Sequence, residues 1–292
     1  MKEGFKKILL NLIISALSGF DSMVDSAQGI LTGTGESSFD TTAVWNAVLQ
    51  LSEALKPFCY IVIGICLLIE IAQVAAKVDI IKWEHGLKLA VKMVFAKLCI
   101  DIAPTFLQAC YNQANIWINS ALTTGSYQSM GDMLTSTIQD KLKEVTGFGD
   151  VLGLFVPVML VALAIKICGL LIEVIAFGRM FELYVYLAVS PLPCAFFPLG
   201  DGSGGGINRI TQKFFKSFIA VCLQGVMIIL CIRIFYMIIG NSFNAMIASA
   251  TTSSDGTAVV SDLIFTMLMA AIVLVMSVTR CGSWAKGIID AM

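Results

Sequence analysis

Six stretches of this chain are apolar over about the 20 residues that a helix needs to cross a bilayer core. They run 57–76, 86–122, 151–177, 180–199, 214–240 and 258–278. Hydrophobic residues make up 58% of the chain and charged ones only 13%. A water-soluble core cannot hide six such runs. In hydrocarbon each backbone N–H and C=O needs a partner within its own segment, so continuous apolar runs of this length read as helices. The fold class is therefore all-α: a polytopic integral membrane protein, with about five transmembrane helices and one broken segment. The broken one is 180–199, where Pro191, Pro193 and Pro198 suit a re-entrant element.

Loop charges set the orientation, because Lys and Arg stay on the cytoplasmic side. Lys77, Lys82 and Lys88 place the loop after the first run inside, and Arg209, Lys213 and Lys216 do the same for 200–216. Arg280 and Lys286 place the C-terminus inside, whereas 241–257 has no basic residue and belongs outside. Six full crossings would put the basic 200–216 loop outside. A re-entrant 180–199 removes that conflict and leaves the N-terminus outside.

The organisation expected is an extracytoplasmic or interfacial region over 1–50 and a membrane domain over 51–292, with an extracytoplasmic loop at about 123–150. Within the first region, 5–20 is a short apolar stretch behind Lys2, Lys6 and Lys7. Asn11, Ser15, Ser18 and Asp21 favour an amphipathic helix lying in the interface. A cleaved signal segment and a true span are the other two readings. Residues 25–42 are rich in Gly, Ser, Thr and Asp and read as a loop.

The polar groups inside the apolar runs are the candidate site. At roughly 100° per residue, Lys97, Asp101, Gln108, Asn112, Asn115 and Asn119 share one narrow helical face. That face is about 33 Å long and needs a partner helix or a water-filled path. Lys97 and Asp101 are spaced to pair with each other. The amides beyond them can hold water without repelling a polyanion. An ordinary solvated face on a helix leaving the membrane accounts for them equally well. Glu70 with Lys77, Lys166 with Glu173, and Arg179 with Glu182 are opposite charges at helical spacing. The structural reading, that they orient and register helices, comes first; the alternative is a rim charge beside a water path for Glu70, and for the other two pairs an ion relay, which favours unneutralised carboxylates. Arg233 has no acid nearby in sequence and is expected to snorkel or to meet Glu173 or Glu182. The block Arg209-Ile-Thr-Gln-Lys213-Phe-Phe-Lys216-Ser-Phe alternates basic and aromatic residues, which suits phospholipid headgroups, a cytosolic partner or passing nucleic acid.

Several chemistries are excluded by what the chain lacks. His85 is the only histidine, so a His-based metal site or Ser-His hydrolase has no material. The nine cysteines form no CxxC pair and read as small buried hydrophobes. No Gly-Lys-Ser/Thr phosphate loop occurs, and the glycines of 202–206 read as a hinge. No enzyme activity and no cofactor are expected; bound phospholipid is the one non-protein component that fits.

One stretch also carries a resemblance. Arg179-Met-Phe-Glu182 is followed by Ser190-Pro191-Leu-Pro193-Cys-Ala-Phe-Phe197-Pro198-Leu-Gly-Asp201 and then by Lys213-Phe-Phe-Lys216-Ser-Phe218. With the extracytoplasmic N-terminal region, the long charged second helix and the central polar loop, this order resembles the TrbL-like inner-membrane proteins of conjugative type IV secretion systems. The resemblance covers most of 45–285. It implies a non-enzymatic channel or scaffold subunit of the bacterial cytoplasmic membrane, forming a homo-oligomeric ring, for which five-fold symmetry is implied. It also implies work beside secretion ATPases and other secretion-system membrane subunits, with single-stranded DNA or a relaxase as transient cargo. The alternative is a self-sufficient small-solute or ion transporter. Transporters of that kind often show two related halves, and this sequence shows no internal repeat.

Overall fold

The computed structural model describes residues 2–32, 41–77, 83–123, 148–198, 209–250 and 256–291. All regular structure among them is helical. The elements are α1 (Lys2–Thr32), α2 (Thr41–Lys77), α3 (Trp83–Thr123), α4 (Phe148–Val189), the one-turn α5 (Pro191–Ala195), α6 (Arg209–Ala250) and α7 (Gly256–Ala291). Among the described residues, five regions are long and apolar enough to cross a membrane: Lys7–Thr32, Ala43–Gln73, Phe155–Ala195, Arg209–Gly240 and Ser261–Ala291.

Several boundaries differ from those expected. The N-terminal helix continues through 25–32, which had read as loop, and is itself one of the five apolar helices. α3 is not among them: Lys88, Lys92, Lys97 and Asp101 load its first half with charge and the amides load its second. The third and fourth apolar runs are one helix, α4, because Gly178 alone does not break a helix. The chain breaks instead at Ser190, where Pro191 and Pro193 remove two backbone donors. Thr211 Oγ1 caps the orphaned Pro193 carbonyl at 2.7 Å, tying the start of α6 to α5. α6 runs on to Ala250 through part of the expected 241–257 loop. Of the loop expected at about 123–150, Thr123 ends α3 and 148–150 begin α4; residues 124–147, and the glycines of 202–206, lie outside the described residues.

The chain divides into two compact units. The first holds Met1–Ser37, Trp117–Gly178 and Gly225–Gly282. Within it, Leu9, Ile13, Ala16, Phe20, Val24, Ala27 and Leu31 form a buried stripe along α1 at three- and four-residue spacing. Ile13, Ala16 and Leu17 face Val158, Val161 and Ile165 of α4 and Met267 of α7. Farther along, Phe20 and Met23 close on Gly169. α1 and α4 therefore run side by side in the same direction. Tyr236 of α6 meets Asp21, whereas Leu31 lies beside Gly225, so α6 runs antiparallel to α1. A Cβ on Gly169 would stand 2.9 Å from Met23 Sδ and 3.2 Å from Phe20 Cδ2. The missing side chain lets the two helices approach, as small residues do at membrane helix contacts.

The second unit holds Ser38–Ile116, Arg179–Gln224 and Ser283–Met292. Its centre is an antiparallel hairpin. Trp45 stacks on Tyr111 with ring centroids 5.1 Å apart, Tyr60 meets Asp101, and Glu70 meets Lys92. These three contacts follow α2 over about 37 Å. The seam between them is lined by Cys59, Ile63, Ala96, Ile100 and Ala103, with Cys194 and Ala195 of α5 packed against it.

Candidate conduit face and intramembrane polar groups

The α3 face divides by environment. Lys97 and Asp101 are exposed and form no ion pair with each other, against the expected pairing. Asp101 Oδ1 instead accepts a hydrogen bond of 2.6 Å from the Tyr60 hydroxyl across the hairpin. Gln108 is half-buried and Asn112 exposed. Asn115 is half-buried, and its Oδ1 is enclosed without a hydrogen-bond partner. Asn119 is exposed in the first unit. Large apolar side chains share the outer surface of α3, among them Val94, Phe95, Leu98, Ile102 and Phe106. Its polar face is a strip on an otherwise oily helix.

Two of the intramembrane charge pairs form, though not always as the spacing suggested. Glu70 pairs with Lys92 of α3 in a half-buried ion pair; the side chain of Lys77 lies outside the description. Arg179 and Glu182 pair at 2.6 Å, one turn apart, as their spacing predicts. Lys166 and Glu173 do not meet. Lys166 is exposed, with its Cε 3.7 Å from where a Gly19 Cβ would stand, and Glu173 is half-buried. Arg233 reaches neither Glu173 nor Glu182 but donates to the Leu122 carbonyl at 2.5 Å. That carbonyl is in the last turn of α3, where backbone acceptors lack helical partners and a cation suits the helix dipole.

At the start of α6, Arg209 and Lys213 are exposed and Lys216 is half-buried. The aromatic residues between them point elsewhere. Phe214 and Phe218 pack on Tyr186 of α4, and Phe215 packs edge-on against Phe106 of α3. The alternation in sequence thus separates an aromatic anchor from a basic outer strip. Trp45, Tyr111 and Tyr184 form a second aromatic cluster at the far end of the hairpin.

The spacing of residues did not reveal the bond from the buried Tyr236 hydroxyl to Asp21, 2.7 Å long and 215 positions apart. Its only signal was a carboxylate on an otherwise apolar helix, which needs a donor. Nor did spacing reveal the approach of Cys231 and Cys281, whose sulfurs are 3.4 Å apart between α6 and α7. All nine cysteines are free thiols. Among the described residues no cluster of His, Cys, Asp and Glu has the makings of a metal site.

Long apolar helices registered by paired charges and buried hydroxyls define a multi-pass helical membrane protein. The chain belongs to the family described as TrbL/VirB6 plasmid conjugal transfer like protein, whose family model matches residues 24–191, more than half of its length. The match takes in α2, α3 and all of α4, and ends at Pro191, where the helix breaks. No curated protein and no solved structure matches the chain. Membership implies a role in conjugal transfer or type IV secretion and association with that machinery.

Proposed function

We propose that this chain is a non-enzymatic channel or scaffold subunit that helps single-stranded DNA or protein cross the bacterial cytoplasmic membrane. It assembles as a ring with copies of itself, beside the secretion ATPases and other membrane subunits of a conjugative type IV secretion system. The observation that carries this reading is the family match over 24–191, laid on a chain with five membrane-length helices. The N-terminus lies outside and the C-terminus inside, in keeping with Arg280 and Lys286 beyond the last apolar run. In this reading α3 also crosses, with Asn112, Asn115 and Asn119 against a neighbouring subunit or a wet path. The 180–199 segment turns back at the Ser190–Pro191 break, and Arg209, Lys213 and Lys216 meet anionic headgroups or a cytosolic partner.

The double substitution Asn112→Leu with Asn115→Leu tests the α3 face. DNA transfer should fall while membrane insertion is retained; transfer at the wild-type level would remove the face from the function. Gly205→Cys should be labelled from the cytoplasmic side. Labelling from outside would make 180–199 a full crossing.

A further inference from the structure

The first unit contains a second polar face, which the proposed function leaves unused. On α1, Lys7, Asn11, Ser15, Ser18, Ser22 and Asp25 are all exposed. At roughly 100° per residue they fall within about 80° of one another, opposite the buried stripe. The strip they form is about 27 Å long, close to a bilayer core. The other long helices of this unit show a different surface. The exposed side of α4 presents Met159, Leu163, Ile167, Leu170 and Val174, and the exposed side of α7 presents Phe265, Met269, Ile272 and Met276. On α1, Ile8 is the one large apolar side chain exposed among the described residues.

Hydrogen bonding separates the helices in the same way. On α7, Thr266, Ser277 and Thr279 donate to carbonyls of their own helix at 2.8–2.9 Å. A hydroxyl satisfied in this way tolerates hydrocarbon. Lys7, Asn11, Ser15, Ser18 and Ser22 have no such partner among the described residues, so their polar atoms are offered outward. Lys166, the ammonium in the middle of the apolar run of α4, lies across Gly19 at the edge of the same strip.

We infer that α1 is a wall helix whose Lys7–Asp25 strip, flanked by Lys166, faces a hydrated path. An interfacial helix, lying flat with this strip to bulk water, does not fit. α1 keeps company with α4 from Ile13 to Met23, and with α6 from Asp21 to Leu31. Its apolar side is buried on those helices, not turned to lipid. The exposed sides of α4 and α7 are apolar, so neither of these faces of a second copy matches the strip. In a ring, the same strip from each copy meets across the axis, and only water or a hydrated cargo fits between. The lining is mostly hydroxyl and amide, with cations at Lys7 and Lys166 and the Asp25 carboxylate at the far end. It wets an anionic chain without a run of cations to hold it fast.

This inference rests on the ring reading above but is tested separately from transfer. Ser15→Cys, Ser18→Cys and Ser22→Cys are made singly in the full chain, with Leu163→Cys and Ile167→Cys on α4 for comparison. Native membrane vesicles are treated with a positively charged, membrane-impermeant methanethiosulfonate, and labelling is read above the wild-type background. A cysteine in water ionises and reacts whereas one in hydrocarbon does not, so the α1 positions should react at least about tenfold faster. Rates equal to those at 163 and 167 would put the strip in lipid and overturn the inference. So would blocked labelling together with efficient copper-phenanthroline dimers at Ser18→Cys, which would mean that a second copy covers the strip. If the α1 positions label fast while the α3 double variant transfers DNA normally, the α3 role fails and the α1 wall stands.

Discussion

α1 and α2 are both long enough and apolar enough to cross a bilayer, yet they dispose of their side chains in opposite ways. α1 buries its apolar stripe on neighbouring helices and turns serine and asparagine outward. α2 buries a thin seam of Ser52, Cys59, Ile63 and Cys66 and exposes Phe58, Ile61, Ile65 and Leu68. Hydropathy summed along a segment cannot tell these helices apart, because it counts residues and not directions. The difference lies in phase. The polar residues of α1 recur every three or four positions on one side, whereas the exposed residues of α2 are apolar on almost every side. α2 is a helix for hydrocarbon; α1 is a helix with its back to the oil.

Substitutions at four places sharpen or break that contrast, each read as a shift in the thermal unfolding midpoint of the purified protein in detergent. The largest effect is expected from Gly169→Leu, which drives a side chain into Phe20 and Met23 where even a Cβ is crowded. Overpacking of this kind should cost about 3 kcal/mol, and Gly169→Ala about 1 kcal/mol. An unchanged midpoint for the leucine variant would mean that α1 is not seated on α4. Next is Lys92→Met, which strands the half-buried Glu70 carboxylate and should cost about 2–3 kcal/mol. Adding Glu70→Leu should recover most of that loss; failure to recover it would mean that the pair does not join α2 to α3. Tyr236→Phe takes one donor from buried Asp21 and should cost about 1–2 kcal/mol. The smallest effect belongs to Gly64→Leu on α2. A Cβ there meets nothing within 4 Å, so the change should stay within about 0.5 kcal/mol. A large loss at Gly64 would show that the outer face of α2 is covered, and the contrast with α1 would fall.

The legible parts of this molecule were the local ones. Arg179 and Glu182 pair one turn apart as their spacing requires, and Pro191 and Pro193 mark the break that follows α4. Asn11, Ser15 and Ser18 announced an amphipathic N-terminal helix. Its extent was hidden, because the Gly, Ser and Asp residues of 25–32 have the composition of a loop while continuing the helix. Pairings across helices were hidden too. Glu70 had Lys77 on its own face, yet its partner is Lys92, and only the packing of α3 decides between them. Lys97 and Asp101 were correctly spaced but Tyr60, 41 positions before Asp101, takes the carboxylate. The Arg233 contact with a backbone carbonyl carries no side-chain signature to search for.

The bond between Glu70 and Lys92 also bears on biogenesis. α2 leaves the ribosome with a lone carboxylate near its end, and its neutralising ammonium is synthesised 22 residues later, on the next helix. Until that residue emerges, the carboxylate lacks the partner it has in the folded protein, and a bare charge opposes partition into lipid. Insertion of the two helices together would bring both charges in as a neutral pair.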